Sequence, residues 1–367
     1  MIFVQSKNLK PGMTLARDIW GVNSFLPLVR TGYKLTQKSI NNIIERDIIG
    51  AYIEFEGTEE IVVNELFPME VKVRVTSEIK CIFQSLQHEK GFSFQNMKAL
   101  NRVADYLVEV ISDYDECMMN VIDIKNYNEY AYVHSMQVAI SCVLIGKRLK
   151  FSNLKLKEIA IAGMLHDLGK TCIPLEILEK KGPLTEDEFD IMKQHPNLAV
   201  SKLTSSRTLS KAILDGIGQH HEKVEGTGYP HNLRSDEISE FAKIIAIADV
   251  YDALTTDRSY RPSWDTNKAI DYMMSCADSH FDVHYLNAFL CIVAAYPIGI
   301  LVRLNNGLDA VVVGSNKGLP LNPIIKILTK GEHYKKVLNL ASDREALTIQ
   351  IIDIIKDEKS MMEILKH

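Results

Sequence analysis

The stretch that most constrains this chain is Met164-Leu165-His166-Asp167-Leu168-Gly169-Lys170, where an imidazole and a carboxylate fall on adjacent residues. Such a pair can present a ring nitrogen and a carboxylate oxygen to one small volume, and the second carboxylate oxygen stays available to bridge to another cation. If the pair ends a helical turn, Lys170 returns over the same face as a fixed positive charge for a phosphate. In a chain with eleven histidines an isolated His-Asp dipeptide is ordinary and reads as a solvated or capping pair. The rest of the chain changes the weighing. His134, His195, the doublet His220-His221 followed by Glu222, and Asp249 each sit in or beside an apolar, helix-patterned segment, where an unpaired polar group is costly to bury.

The 367 residues are 46% hydrophobic and 24% charged, which predicts two or three domains with a substantial core. A net charge of −5 argues against a nucleic-acid polymer as partner, which calls for a basic surface. The six cysteines, Cys81, Cys117, Cys142, Cys172, Cys276 and Cys291, lack a CxxC spacing. They read as small apolar residues in a reducing compartment and not as a disulfide framework or a thiolate zinc site. Met1-Ile-Phe-Val-Gln-Ser-Lys7 does not have the form of a signal peptide. Tyr285 to Val302 carries no charge, but Asn287, Pro297 and Gly299 interrupt it, so it reads as a helix end followed by a strand and not as a membrane span. The expectation is a cytoplasmic protein that does not enter a membrane.

In chain order, residues 1–66 predict a small α/β module: β-rich runs at Phe25–Val29 and Ile48–Phe55 flank a helix from Thr36 to Arg46. It carries no catalytic constellation and suits a regulatory, interaction or purely structural role. Residues 67–97 read as a linker helix, with Val71, Val75, Ile79, Ile82, Phe83 and Leu86 at helical spacing. Residues 98–295 read as one helical domain. His134 falls in a helix ending near Leu149, and Leu156–Leu168 is a second helix. Thr185-Glu-Asp-Glu188 is the capping box of a third, for which His195-Pro196 reads as a natural stop. Leu209–His221 and Glu237–Thr255 follow, separated by a Gly-rich loop from Glu222 to Leu233. After Tyr296-Pro297 (residues 296–367) short β-runs predict a small β module with a closing helix from Ala346. The fold class is therefore mainly α, a helical bundle holding the polar set, with a small α/β module before it and a small β module after it.

The polar set is His134, His166, Asp167, His195, His220, His221 and Asp249: five imidazoles, two carboxylates and no thiolate. That count suits two first-row divalent ions bridged by a carboxylate, iron or manganese as readily as zinc, nickel or cobalt. Two such ions can hold a hydroxide between them and clamp both oxygens of an in-line displacement at phosphorus. Lys170, Arg258 and Arg261 are the cations expected to meet the phosphate oxygens, although a solvated helix end accounts for the arginines equally well. Glu225-Gly226-Thr-Gly228-Tyr229-Pro230 gives backbone freedom beside the histidine doublet, as a plain turn also would.

Taken together, His166-Asp167-Leu-Gly-Lys170, His195-Pro196, His220-His221-Glu222 with Gly228-Tyr229-Pro230, and Ala248-Asp249-Val-Tyr-Asp252 resemble the HD-GYP family of cyclic di-GMP phosphodiesterases. The likeness covers about 125–295, and Leu9-Lys-Pro-Gly-Met13 resembles a module found ahead of such domains in bacteria. The resemblance implies an all-helical HD-type phosphohydrolase bundle that hydrolyses cyclic di-GMP to linear pGpG, with some members going on to GMP. It implies one ion held by His134, His166, Asp167 and Asp249, and a second by the bridging Asp167 with His195, His220 and His221. Asp167 and Lys170 would be catalytic, and Lys170, Arg258, Arg261, Gly228, Tyr229 and Pro230 would contact substrate. Some members hold a third metal through a Glu four residues before the first histidine. Here that position is Tyr130, with Glu129 one residue off, so two ions are expected. Glu225-Gly226 stands where the family has Asp-Gly. The competing expectations are a nucleotide phosphohydrolase acting on another substrate such as cyclic GMP-AMP, and a catalytically silent cyclic-dinucleotide receptor. A homodimer and a protein partner for the N-terminal module are further expectations. His88, His231, His280, His284, His333 and His367 fall outside the pattern and read as surface or packing residues.

Overall fold

The computed structural model describes residues 1–20, 26–46, 48–63, 69–88, 93–112, 130–204, 208–256, 263–329, 334–356, 360–361 and 364. The chain forms two compact units. One takes in Met1–Glu70 together with Val293–His367, and the other Val71–Cys117 with Glu129–Ile292.

In the first unit, β1 (Ile2–Gln5) pairs antiparallel with β4 (Gly50–Ile53), Ile2 opposite Ile53, and β2 (Ile19–Trp20) pairs with β3 (Pro27–Val29). Between them α1 (Gln37–Glu45) starts at Thr36, whose hydroxyl accepts from Ser39 N–H while Ser39 accepts from Thr36 N–H. This reciprocal cap satisfies donors that a helix start otherwise leaves open. The C-terminal segment adds β5 (Leu301–Leu304), β6 (Asp309–Gly314), β7 (Ile324–Ile327), β8 (Val337–Asn339) and β9 (Ile351–Ile354), an antiparallel sheet in the order β8-β7-β6-β5-β9. The two ends of the chain share one core: Ile2, Val4, Leu15, Ile43 and Ile53 pack with Leu301, Val311 and Ile355. Phe3 N–H donates to Gly299 O at 2.8 Å, and Lys326 pairs with Glu60. The closing helix expected from Ala346 is not formed there: a single 3-10 turn at Arg344–Ala346 leads into β9, which pairs with β5. Ile351-Ile-Asp-Ile354 is rich in β-branched side chains, which lose freedom in a helix and fit a pleated edge.

The second unit is helical: α2 (Met69–His88), α3 (Phe94–Ser112), α4 (Tyr130–Arg148), α5 (Asn153–Leu165), α6 (Leu175–Leu178), α7 (Glu186–Met192), α8 (His195–Thr204), α9 (Lys211–Gln219), α10 (Glu240–Thr255), α11 (Thr266–Ser275) and α12 (Val283–Leu290). α5 is buried from Ile159 through Leu165 and α10 from Ile244 through Ala248, so both are apolar on every side, as central helices are. α4 packs against both. Each buried aliphatic side chain contributes roughly 1.5–3 kcal/mol, so this packing fixes the helix ends from which the polar set projects.

His195-Pro196 does not stop a helix. α7 ends at Met192, a turn follows at Lys193-Gln194, and His195 opens α8. Proline at the first turn lacks an N–H that would be unpaired there in any case, and its fixed φ suits a helix start. Among the described residues no helix is long and apolar enough to cross a membrane.

Candidate metal centre

α5 delivers His166 and Asp167. The helix ends at Leu165, and a 3-10 turn over Leu168–Cys172 swings the chain away, so both side chains project from the end of a buried helix. Gly169 lets that turn lie against the start of α8: a Cβ placed on it would stand 1.8 Å from His195 O and 2.8 Å from Ala199 N. This close backbone approach brings His195 opposite Asp167. His134 comes from α4, His220 and His221 from the end of α9, and Asp249 from the middle of α10.

The structure brings all seven of these residues together. The ligand atoms of Asp167, His195, His220 and His221 all lie within 4.8 Å of one another, as do those of His134, His166 and Asp167, and those of His166, His220 and Asp249. Asp167 divides its carboxylate between two groups. Its Oδ2 is 3.5 Å from His134 Nε2 and 3.5 Å from His166 Nε2, and His134 Nε2 is 3.2 Å from Asp249 Oδ1. Its Oδ1 is 3.4 Å from His195 Nε2 and 4.0 Å from His220 Nε2. Oδ1 is buried and, among the described residues, accepts no hydrogen bond. A buried carboxylate oxygen without a donor is costly, and a cation between it and the histidines would satisfy it. The residues present therefore fit divalent ions on both sides of Asp167.

The far side of each ring fixes which nitrogen faces the centre. His166 Nδ1 sits 2.8 Å from Gly163 O, His195 Nδ1 2.9 Å from Met192 O, and His220 Nδ1 2.7 Å from Ile217 O. Each Nδ1–H donates to the carbonyl three residues back, which leaves Nε2 as the lone-pair nitrogen facing inward. His134 is held differently, by Asp252 Oδ2 at 2.6 Å from Nδ1. Asp252 carried no assigned role in the sequence, yet it lies three residues after Asp249 and so on the same face of α10.

Electrostatics favour the ligating protonation states of the cluster, except at His134. Burial lowers His166, His195 and His220, with His195 brought to about 4, and it brings His221 to about 3, so these rings are neutral and able to bind a cation at neutral pH. Burial opposes ionisation of Asp167, but Lys170 and the surrounding histidines outweigh it and hold the carboxyl well below its usual range. His134 outweighs burial in the same way at Asp249. For His134 itself, burial lowers the pKa, and hydrogen bonds to Asp167, Asp249 and Asp252 more than reverse this.

Lys170 and the Gly-Tyr-Pro loop border this cluster. Lys170 Nζ donates to Asp167 Oδ2 at 2.6 Å, so its charge lies at the bridging carboxylate. Tyr229 stacks on His221 with centroids 4.6 Å apart and 27° between planes, and its N–H donates to His221 O at 3.2 Å. Gly228 is buried where a Cβ would meet Glu222 Cα at 2.4 Å, and the Tyr229–Pro230 bond is cis. Glu222 organises this loop: its carboxylate accepts from His231 N–H at 2.7 Å and Leu233 N–H at 3.0 Å. Sequence reading missed that role, although an acidic residue directly after the His220-His221 doublet, at a helix end, was its signal. Arg258, Arg261 and Glu129 lie outside the described residues.

Asp252→Ala should weaken metal affinity about tenfold to a hundredfold, the usual cost of losing an outer partner of a ligating histidine. Competition against a chromogenic chelator checks this, with circular dichroism as the control for folding; unchanged affinity would rule out the orienting role.

Comparison with known proteins bears on the kind of domain that carries this cluster. The family model described as HD domain matches residues 116–284. A cyclic di-GMP phosphodiesterase of Pseudomonas aeruginosa is 34% identical over 225 residues, 61% of this chain and 54% of its own length. The 3'3'-cGAMP-specific phosphodiesterase 1 of Vibrio cholerae is 36% identical over 188 residues, 49% of this chain and 43% of its own length. The chain thus spans about half the length of these curated relatives. A solved HDG"Y"P protein of Bdellovibrio bacteriovorus shares the fold, with a TM-score of 0.53 at 14% identity over 78% of this chain and 97% of that one. With the histidine and aspartate cluster held at the ends and inner faces of buried helices and the Gly-Tyr-Pro loop against its doublet, residues 116–284 carry an HD domain of the HD-GYP type.

Proposed function

We propose that this chain is a metal-dependent phosphodiesterase that opens cyclic di-GMP at a 3′–5′ phosphodiester to give linear pGpG. The observation that carries the reading is the division of the Asp167 carboxylate, with Oδ2 toward His134 and His166 and the donorless Oδ1 toward His195 and His220. In this reading His134, His166, Asp167 and Asp249 hold one divalent ion, and Asp167, His195, His220 and His221 hold the other. Two such ions, iron or manganese, supply Lewis acidity toward phosphoryl oxygens and a water of lowered pKa. The chain's own residues do the rest. Lys170 sets a positive charge beside the bridging carboxylate, where it would counter the negative charge that grows on the phosphoryl oxygens. Tyr229, stacked on His221, closes the flank of the second group and limits access of bulk water. The Nδ1 contacts of His166, His195 and His220 hold their rings still, so little reorganisation accompanies reaction.

A second reading, hydrolysis of cyclic GMP-AMP, is favoured by the likeness to the Vibrio cholerae enzyme. Phosphate chemistry is shared between the two substrates, so only base contacts separate them. The test is anaerobic turnover of each dinucleotide by protein loaded with ferrous iron or manganese, with metal counted per chain and products separated. Faster release of pGpG or GMP from cyclic di-GMP supports the first reading, and preference for cyclic GMP-AMP supports the second. Tight nucleotide binding without product would make the chain a receptor.

A further inference from the structure

Phe189 stands at the rim of the metal centre, outside the motifs that define it. It lies on α7, whose first turn is locked by the reciprocal bonds of Thr185 and Glu188, and Glu188 also pairs with Lys180 at 2.5 Å. Phe189 is 46% exposed. A single exposed apolar residue is ordinary, but this one has a particular place. Its centroid lies 6.3 Å from that of Tyr229, edge to face, and Tyr229 in turn stacks on His221 of the ligand cluster. Lys193 Nζ lies 5.1 Å from the Phe189 centroid. Rings therefore run outward from the metal-facing histidine to a half-exposed aromatic face with a cation beside it.

We propose that Phe189, backed by Tyr229, is the platform on which a purine base of the substrate stacks while a phosphodiester sits at the histidine and aspartate cluster. This rests on the reading that the substrate is a cyclic purine dinucleotide. Every base offers a π-face to an aromatic ring, and such stacking contributes substantially to nucleotide affinity. The edge-to-face arrangement suits the purpose: Tyr229 meets His221 with one face, which leaves the Phe189 ring as the exposed member of the series. Lys193, whose ammonium is paired with Asp190 at 2.5 Å, borders the ring without adding net charge.

The test separates an aromatic role from a merely apolar one. Phe189→Leu keeps a bulky apolar side chain but removes the π-face, whereas Phe189→Trp keeps it. Phe189→Leu is expected to raise KM for cyclic di-GMP about tenfold to a hundredfold, with a much smaller change in kcat and unchanged metal content. Phe189→Trp is expected to hold KM near the wild-type value. Equilibrium binding of cyclic di-GMP is measured alongside. If wild type hydrolyses the dinucleotide and Phe189→Leu leaves KM unchanged, the platform is overturned while the phosphodiesterase reading stands. If Phe189→Leu lowers kcat and not KM, the ring positions the loop and the platform is again overturned. If wild type binds without turnover and Phe189→Leu weakens binding while Phe189→Trp restores it, the platform stands and the catalytic reading fails. A wild-type chain that neither binds nor hydrolyses cyclic di-GMP or cyclic GMP-AMP overturns both.

Discussion

Asp167→Ala is expected to lose bound metal and turnover together, with turnover falling below detection. The carboxylate serves both groups of histidines, so its removal takes one oxygen from each. A positioning residue would behave otherwise, losing rate while keeping its ions. The metal-free chain should also lose some stability, because Oδ2 takes Lys170 and His134 as partners and the carboxyl is held well below its usual range in the fold. The larger difference appears on adding metal. Ligand at a thousandfold excess over its Kd stabilises a folded protein by about 4 kcal/mol, which for a unit of this size is on the order of 10 °C in Tm. Wild type should show that shift with manganese and the variant almost none. Equal metal content in the two proteins, counted after desalting, would sink the bridging assignment.

The sequence made the histidine and aspartate cluster legible because its information is local. A His-Asp pair after an apolar run and a doublet at the end of a helical pattern each point inward by periodicity alone. Gly169 and Asp252 were present in the same motifs but silent, since their roles depend on partners across the bundle: the backbone of His195 for one and the ring of His134 for the other. The spacing of Asp252 three residues from Asp249 was a usable signal. The shared core of the two chain ends was beyond reach, because Ile2 and Leu301 meet through packing that no short window of sequence records. At His195-Pro196 and at Ile351–Ile354 the rule applied was sound but incomplete. Proline both ends helices and begins them, and an apolar run near a terminus suits a strand when an open sheet edge is at hand.

Gly169→Ala is expected to cost more than any other single methyl group added near the site. The new Cβ would lie 1.8 Å from His195 O and 2.7 Å from His195 C, and both are backbone atoms that no rotamer change can move aside. The turn over Leu168–Cys172 and the start of α8 must separate, at a cost of about 1–3 kcal/mol or more. The same movement draws His195 Nε2 away from Asp167 Oδ1, now 3.4 Å distant, while His134, His166 and Asp249 on α4, α5 and α10 keep their places. The variant should therefore bind metal through the first group and lose it from the second, with turnover lost and a lowered Tm. Gly218→Ala is the control. Its Cβ would meet only Val200 Cγ2, at 3.1 Å, a side-chain methyl that can yield, and alanine is preferred to glycine within a helix by roughly 0.5–1 kcal/mol. That variant should stay within about 1 kcal/mol of wild type. If Gly169→Ala melts with wild type and keeps its full metal content, the close approach of the His-Asp turn to α8 is not what sets His195 opposite Asp167.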